Sequence, residues 1–405
     1  MTTNRFESHL ASERGAVIVH VTIALVGLLA FSAFVIDYGV MWTARRQAQN
    51  AADAAALAGA VSLAYVDFDN QDLARQSALA VATQHIVWGE VPDITAADIT
   101  FPVCPPGSPG AGTNSCIRVD VFRNQRAGGS PLPTIFAKLV GVDEQGARAT
   151  ATAEALFGDS TDCVKPFAIP DKWLEQRNDV APPGWSEDDT FERYDSPSGD
   201  LLPGPVDFYS ADTGFTPASV ELGGGDHGRY ITLKSGSPHD TVAPGWYHPV
   251  VLSCPGGNCY RDAIATCNTR VIGPGTELDV EPGNMVGPTR QGMADLIAQD
   301  PVAEWDPDLF GDGLGGVKGG CMATGDCKVS PRLVAIPVYD PDAYDAGRAS
   351  GRVTITITKV IGFFIDRMQG NEVNGYIMSY PSTPNEGMGG VPGAANFVVS
   401  VALVR

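Results

Sequence analysis

The sequence predicts an α+β protein: a single N-terminal transmembrane helix continuing into a helix-on-sheet domain, followed by a β-rich domain tied by disulfides. Three observations predict it. Residues 16–36 form an uncharged, mostly apolar run that passes without proline into an alanine-rich stretch ending near residue 66. Segments of alternating apolar and polar residues, separated by Gly/Pro-rich turns, follow from about residue 97 onward. All eight cysteines, Cys104, Cys116, Cys163, Cys254, Cys259, Cys267, Cys321 and Cys327, lie beyond the apolar run.

Composition bounds what the chain can be. At 405 residues, 44% hydrophobic and 18% charged, it has a globular balance and room for two or three cores. The 46 glycines and 30 prolines, concentrated after residue 100, point to a turn-rich, β-rich C-terminal part. A net charge of −20, with no basic run, argues against a nucleic-acid partner, because phosphates need a basic face.

Residues 1–15 are a short polar stub in which Arg5 and Arg14 are offset by Glu7 and Glu13. Residues 16–36, with Ala16, Leu25, Leu28, Phe31 and Ile36 among them, span roughly 30 Å as a helix, the thickness of a bilayer core. His20, Thr22 and Ser32 are its markedly polar members. The run exceeds the ~7–15 apolar residues of a secretory signal and leads into DYGVMWTARRQ, which lacks a small-x-small cleavage site. Retention as an anchor is expected. Arginines balance on the two sides and do not orient the span, whereas the cysteines place the C-terminal part outside the cytoplasm, where disulfides persist.

Beyond the span, Val40, Ala44, Ala48, Ala51, Ala55 and Ala58 recur at three- and four-residue steps and form a small-residue stripe that permits close approach. Its distal half is expected on the protein's own sheet and its proximal half against neighbouring subunits, a route to self-association. A second helix is predicted from residue 69 or 70 to about 88, with Leu73, Ser77, Ala78, Val81, His85 and Ile86 on its inner face. Alternating segments 97–104 and 115–122 predict a hairpin clamped by Cys104 and Cys116. A short helix over 131–140, with Pro133 in its first turn, and a strand over 147–157 complete a first domain, 37–158. A long helix on a small sheet is a pilin-like layout.

Residues 159–405 form the β-rich domain. Its candidate strands are 163–170, 228–235, 245–253, 332–340, 350–366, 374–380 and 396–404, with one convincing helix at 289–299. Segments 175–205 and 300–330 are acidic, Gly/Pro-rich long loops. Cys321 and Cys327 are close enough to pair locally, and Cys163, Cys254, Cys259 and Cys267 remain to pair among themselves.

Arg14 and Gly15 before the span, and Asp37, Gly39, Arg45, Arg46, Gln49, Asn50, Asp53, Leu57 and Gly59 after it, stand in the pattern R-G-A, apolar span, D-Y-G-x-x-x-x-A-R-R-Q-A-Q-N-A-A-D-A-A-A-L-A-G-A. This pattern resembles the N-terminal region of TadE/TadG-like Flp pilus assembly proteins. The resemblance implies a cell-envelope protein anchored in a bacterial inner membrane. It also implies pilus assembly or secretion machinery as partners, and neither enzymatic activity nor a cofactor. TadE-type pseudopilins are cut after a glycine followed five residues on by glutamate; here Gly15 is followed at that position by His20, so the anchor is expected to stay uncut. Larger TadG-like proteins often carry a metal site of the form Asp-x-Ser-x-Ser. Asp195-Ser196-Pro197-Ser198-Gly199 has its serines at other offsets and does not supply one.

Other chemistry is weakly signalled. The glycine-rich run 311–320 lacks the Lys-Ser/Thr end of a phosphate loop. Asp306, Asp308, Asp312 and Asp326 offer carboxylates for calcium without EF-hand spacing. His248 with Cys254, Cys259 and Cys267 reads as disulfide chemistry before zinc. His227, His239 and His248 are isolated from any G-x-S-x-G or H-E-x-x-H. A calcium-dependent surface adhesin and an anchored hydrolase are therefore the alternatives to an accessory assembly component.

Overall fold

A computed structural model describes residues 10–65, 71–126, 129–177, 185–186, 189–195, 198–217, 225–236, 241–309, 315–349, 354–382, 388–390 and 396–404. Helix α1, Leu10–Tyr65, is a 56-residue rod. Alanine supplies the helix propensity of its second half, and no proline interrupts it. From Val40 onward one face is buried: Ala44, Ala48, Ala51, Ala52, Ala55, Ala56 and Ala60 are fully covered. The cover comes from the protein's own sheet and from α2, Gln71–Gln84. The proximal stripe residues Val40, Ala44 and Ala48 are therefore not free for a neighbouring subunit, contrary to the sequence expectation.

Helix α2 is shorter than its periodicity predicts, and it turns in Ala74, Ala78 and Ala82; Leu73 and Val81 are only partly buried. The cause is close approach. A methyl on Gly59 would stand 2.3 Å from Ile117 Cδ1, 3.2 Å from the Ala74 carbonyl oxygen and 3.3 Å from Ala78 Cβ. Only the small row of α2 fits against such a surface. Gly59→Val is expected to cost about 1–3 kcal/mol through overpacking, read as a lower urea midpoint at unchanged slope.

The first sheet begins with β1, Ile99–Thr100, antiparallel to β2, Cys116–Arg123. A two-stranded ribbon of β3, Leu132–Pro133, and β4, Glu144–Gln145, follows, enclosing a 3-10 turn at Ala137–Val140. The predicted helix over 131–140 is thus a strand and a single turn. Pro131 and Pro133 have no N–H to give, and the N–H groups of Ile135, Phe136 and Ala137 go to a side chain of α1, described below. Strand β5, Ala147–Gly158, is the spine of the sheet and pairs with β2 from Arg123↔Ala147 to Cys116↔Glu154. Its alternating Ala147, Ala149, Ala151 and Ala153 meet the alanines of α1, so both sides of this core are built from the smallest side chain.

The chain then enters a second sheet: β6, Phe167–Pro170; β7, Tyr230–Ser235; β8, Trp246–Pro249; and β9, Glu277–Asp279. Between them lies helix α3, Gly257–Ala265, and after them α4, Val286–Ile297. A small hairpin follows, β10, Glu304–Asp306, with β11, Gly316–Lys318, and then the short helix α5, Gly320–Thr324. Strand β12, Leu333–Tyr339, helix α6, Pro341–Ala349, and strands β13, Thr354–Gln369, and β14, Glu372–Met378, complete it. The order β12-β6-β8-β7-β14-β13 closes through β12–β13, so these strands form a barrel without a free edge. Phe167, Ile231, Tyr247, Ile336, Phe363 and Ile377 are buried in one core cluster.

Two parts of this region depart from the sequence reading. Helices α3 and α6 were not anticipated beside α4. The segment 300–330, expected as a long loop, carries a hairpin and a helix because it is held at several points. Trp305 stacks on Tyr376 at 4.5 Å between centroids, and Arg332 donates to the carbonyls of Asp300 and Ala303. The Asp300 carboxylate in turn accepts from the Cys321 N–H and the Ser330 hydroxyl.

Strand β15, Tyr380–Pro381, and the short β16, Met388–Gly390, lead to β17, Val398–Val404. β17 is not in the barrel, although the sequence reading counted it with the β-rich domain 159–405. It lies antiparallel along β5, from Val398↔Gly158 to Val404↔Thr152. Alternation showed that 396–404 is a strand but not which sheet it joins. The barrel is therefore carried between two adjacent strands of the first sheet, which β15, parallel to β17, and β16, antiparallel to β5, also join. Four disulfides complete the fold: Cys104–Cys116, Cys163–Cys267, Cys254–Cys259 and Cys321–Cys327.

Candidate functional site at the end of the apolar run

The first half of α1 is long and apolar enough to cross a membrane, with a mean hydropathy of 2.4 in its best window and none of that window covered by protein. Ala16, Leu25, Leu28, Phe31 and Ile36 are all exposed. Its polar members are satisfied within the helix: His20 Nδ1 donates to the Ala16 carbonyl at 2.7 Å and the Thr22 hydroxyl to that of Ile18 at 2.8 Å. Such bonding lowers the cost of placing these groups in hydrocarbon.

Asp37 ends this run and is only 7% exposed. Its carboxylate accepts three backbone N–H bonds, from Ile135 at 2.8 Å, Phe136 at 3.0 Å and Ala137 at 2.7 Å. Its own carbonyl accepts from Gln145 Nε2 at 3.3 Å. The carboxylate thus does for the 3-10 turn what a capping residue does for a helix: it satisfies free N–H groups and opposes their partial positive charge. Gly141, at φ 83°, closes the turn, and the Thr134 hydroxyl lies 2.7 Å from the carbonyls of both Val142 and Asp143. One acidic side chain at the end of the apolar run therefore fixes a loop about a hundred residues away.

The Ile135 N–H bond, with those of Ala137 and Phe136, holds the Asp37 carboxyl below its ordinary value against the opposing effect of burial. A folded value below the unfolded one means that the tether is at full strength above the ordinary carboxylate range and is lost as pH falls through the folded value. Amide protection at Ile135, Phe136 and Ala137 is expected to persist at pH 5 and to collapse only below roughly pH 4. In Asp37→Ala these three amides are expected to exchange freely at every pH while those of β5 stay protected. Hydrogen exchange of the full chain in detergent reads both outcomes.

Further up the helix, Phe34, Tyr38 and Trp42 stack at four-residue steps with centroids 6.0 and 6.4 Å apart, and the Arg46 guanidinium lies 5.4 Å over Trp42. Gln47 Oε1 accepts the Trp88 N–H at 2.7 Å, and Gln49 Nε2 donates to Asp53 at 2.8 Å and to the Thr150 carbonyl at 3.1 Å. Gln49 and Asp53 therefore fix the helix to the sheet. Arg45, Arg46 and Asn50 point to solvent, Leu57 is half-buried, and Gly39 faces open space. Gly59 is the position of close approach described above. Arg14, whose side chain is outside the described set, and Gly15 begin the span. Residues 15–62 match the family model "Putative Flp pilus-assembly TadE/G-like".

That matched segment holds the apolar run, the Asp37 junction and the alanine face, and ends just before the end of α1. It agrees with the resemblance drawn from the sequence, over that segment. The chain matches no curated protein and no solved structure.

The other sequence candidates lie apart from this junction. His248 packs beside Tyr344 and Tyr339, at 4.7 and 5.7 Å, and His227 beside Trp305 at 6.1 Å. His239, Asp312, Ser196 and Pro197 lie outside the described residues. Asp306 is engaged by Lys318 at 3.0 Å and by the Asp308 N–H at 2.9 Å rather than gathered with Asp326. Cys254, Cys259 and Cys267 are in disulfides, so their sulfurs are not thiolate ligands for zinc. Sequence reasoning missed the buried charges that fasten loops to the barrel. Asp171 accepts from Lys359 at 2.8 Å, Tyr209 at 3.0 Å and the Phe215 N–H at 2.7 Å. Asp226 pairs with Lys172 at 2.7 Å and Arg229 at 2.6 Å. Apart from Arg229, three residues from Asp226, their partners are far apart in sequence and carry no spacing signature.

Proposed function

We propose that the chain is a membrane-anchored structural or accessory component of Flp pilus assembly, not an enzyme. In this reading α1 crosses a bacterial inner membrane once over 16–36, uncut at Gly15, with the N-terminus cytoplasmic and everything from Asp37 outside. The observation that carries it is the junction at Asp37, where the exposed apolar half of α1 ends and the protein-covered half begins within one turn. The pairing of every cysteine downstream of the span supports an oxidising compartment for that part.

The first sheet with α1 serves as a pilin-like stand-off. Helix α1 and strand β5 run in the same direction: Asp37 bonds Gln145, Gln49 bonds Thr150, and Gly59 abuts Ile117, the partner of Ala153. At 1.5 Å per residue the barrel is raised roughly 30 Å above the membrane end. Two neighbouring strands, β5 and β17, carry the barrel instead of one linker, so displacement of the barrel is transmitted to the anchor. The alanine face is occupied internally, so machinery partners and any second copy meet the exposed side of α1, where Tyr38, Trp42 and Arg45 stand, or the span itself. In-frame deletion of the gene in its native host is expected to remove or sharply reduce surface Flp pili. An unchanged pilus count would contradict the proposal.

A further inference from the structure

We infer that the turn bearing Ile135, Phe136 and Val142 is a membrane-docking wedge that enters the interfacial layer of the same phospholipid bilayer that α1 crosses, fixing the tilt of the sheet on the membrane. The inference rests on the reading of α1 as an inserted anchor. Three observations on different parts of the chain converge on it. Ile135, Phe136 and Val142 are 57%, 36% and 47% exposed, a concentration of apolar surface on one short turn. The height of the turn is fixed, because the Asp37 carboxylate, one residue beyond Ile36, holds the N–H groups of Ile135, Phe136 and Ala137 at 2.7–3.0 Å. A chain inserted through residue 36 therefore brings this turn to the bilayer surface. At the same level Tyr38 and Trp42 are 48% and 50% exposed on another side of the helix, and such amphipathic rings favour the headgroup layer.

Lys138 is exposed in the same turn, and a lysine there can keep its alkyl stem in the apolar layer while its ammonium pairs with lipid phosphates. Asp37 turns inward onto backbone N–H groups, whereas Asp143 and Glu144, which follow Val142, are exposed, so apolar surface and not charge is what this turn offers a bilayer. A bilayer explains why the apolar turn and the aromatic ladder share one height while lying on different sides of the helix. A protein partner would have to wrap the helix to cover both.

The test uses the full chain reconstituted into vesicles of phosphatidylcholine and phosphatidylglycerol. The photoreactive residue p-benzoylphenylalanine is placed, one position at a time, at Leu25, Ile135, Phe136 or Val103. Val103 is 59% exposed but adjoins the Cys104–Cys116 bridge, at the Glu154 end of β5 and away from Ala147. Retention of all four disulfides checks that each variant has folded. After illumination, lipid adducts are expected at Leu25, Ile135 and Phe136, at least tenfold above Val103. Adducts at Leu25 without adducts at Ile135 and Phe136 would overturn the wedge and leave the anchor standing. Cross-links from Ile135 or Phe136 to protein in place of lipid would also overturn it. Absence of adducts at Leu25 would remove the anchor and the wedge together.

Discussion

Removal of residues 398–405 is expected to unfold the first sheet while leaving the barrel's own strand ring paired. Strand β17 covers the length of β5 from Gly158 to Thr152 and buries Val398 and Val399 completely. Val399 lies in the core of the first sheet and Val398 in the core shared with the barrel, and at ~1.5–3 kcal/mol for each fully buried aliphatic side chain the two supply roughly 3–6 kcal/mol. That is a large share of the 5–15 kcal/mol that holds an ordinary domain. The truncated chain would also present β5 as an open edge with unpaired N–H and C=O groups, a template for aggregation. Limited proteolysis within 147–158, together with size-exclusion chromatography in detergent, should show rapid cleavage and higher-order species. A truncated chain with native protease resistance and elution would show that β17 is dispensable.

The second large effect belongs to Cys163–Cys267, which closes a loop across 104 positions. Chain-entropy reasoning assigns such a closure about 4–5 kcal/mol, against about 2 kcal/mol for the six-position closure at Cys321–Cys327. The double replacement Cys163→Ser with Cys267→Ser is therefore expected to lower the unfolding free energy roughly twice as far as Cys321→Ser with Cys327→Ser. Urea unfolding of the two variants, measured side by side, checks the ranking. Equal losses, or the reverse order, would show that native-state contacts around the short bridge outweigh loop entropy.

Local pattern carried much of the fold. The alanine stripe, the hairpin clamped at Cys104 and the alternating run of β5 are periodic over many residues, and each appears where its period places it. The long strand β13 was legible from an alternating half running into an apolar half, the mark of a strand covered on both faces. What failed was short or long-range. Helices α3 and α6 have nine residues each, carry Cys, Gly or Pro, and give too few turns for a period to emerge. The inner row of α2 was right at Ala78 but placed Leu73 and Val81 beside it, whereas Gly59 leaves room only for Ala74 and Ala78. The placement of β17 depends on a partner some 240 positions away, and nothing within nine residues encodes that.

The junction was half legible. Asp37 stood out as the first charge after an apolar run, and the family motif included it. Its partners are backbone N–H groups of residues 135–137, which have no side-chain identity to read. Ile135 and Phe136 fell inside what read as a short helix over 131–140, and two prolines and the Asp37 carboxylate made that segment a strand and a 3-10 turn, on which both are exposed.

The central claim is that the barrel works only when rooted in the membrane through α1. The most direct measurement compares two complementations of a deletion strain: the full chain, and residues 37–405 exported free behind a cleavable signal. Pilus counts by electron microscopy are expected to return with the full chain and to stay at the deletion level with the free one, provided both accumulate with paired cysteines. Full restoration of pili by the unanchored chain would contradict the account.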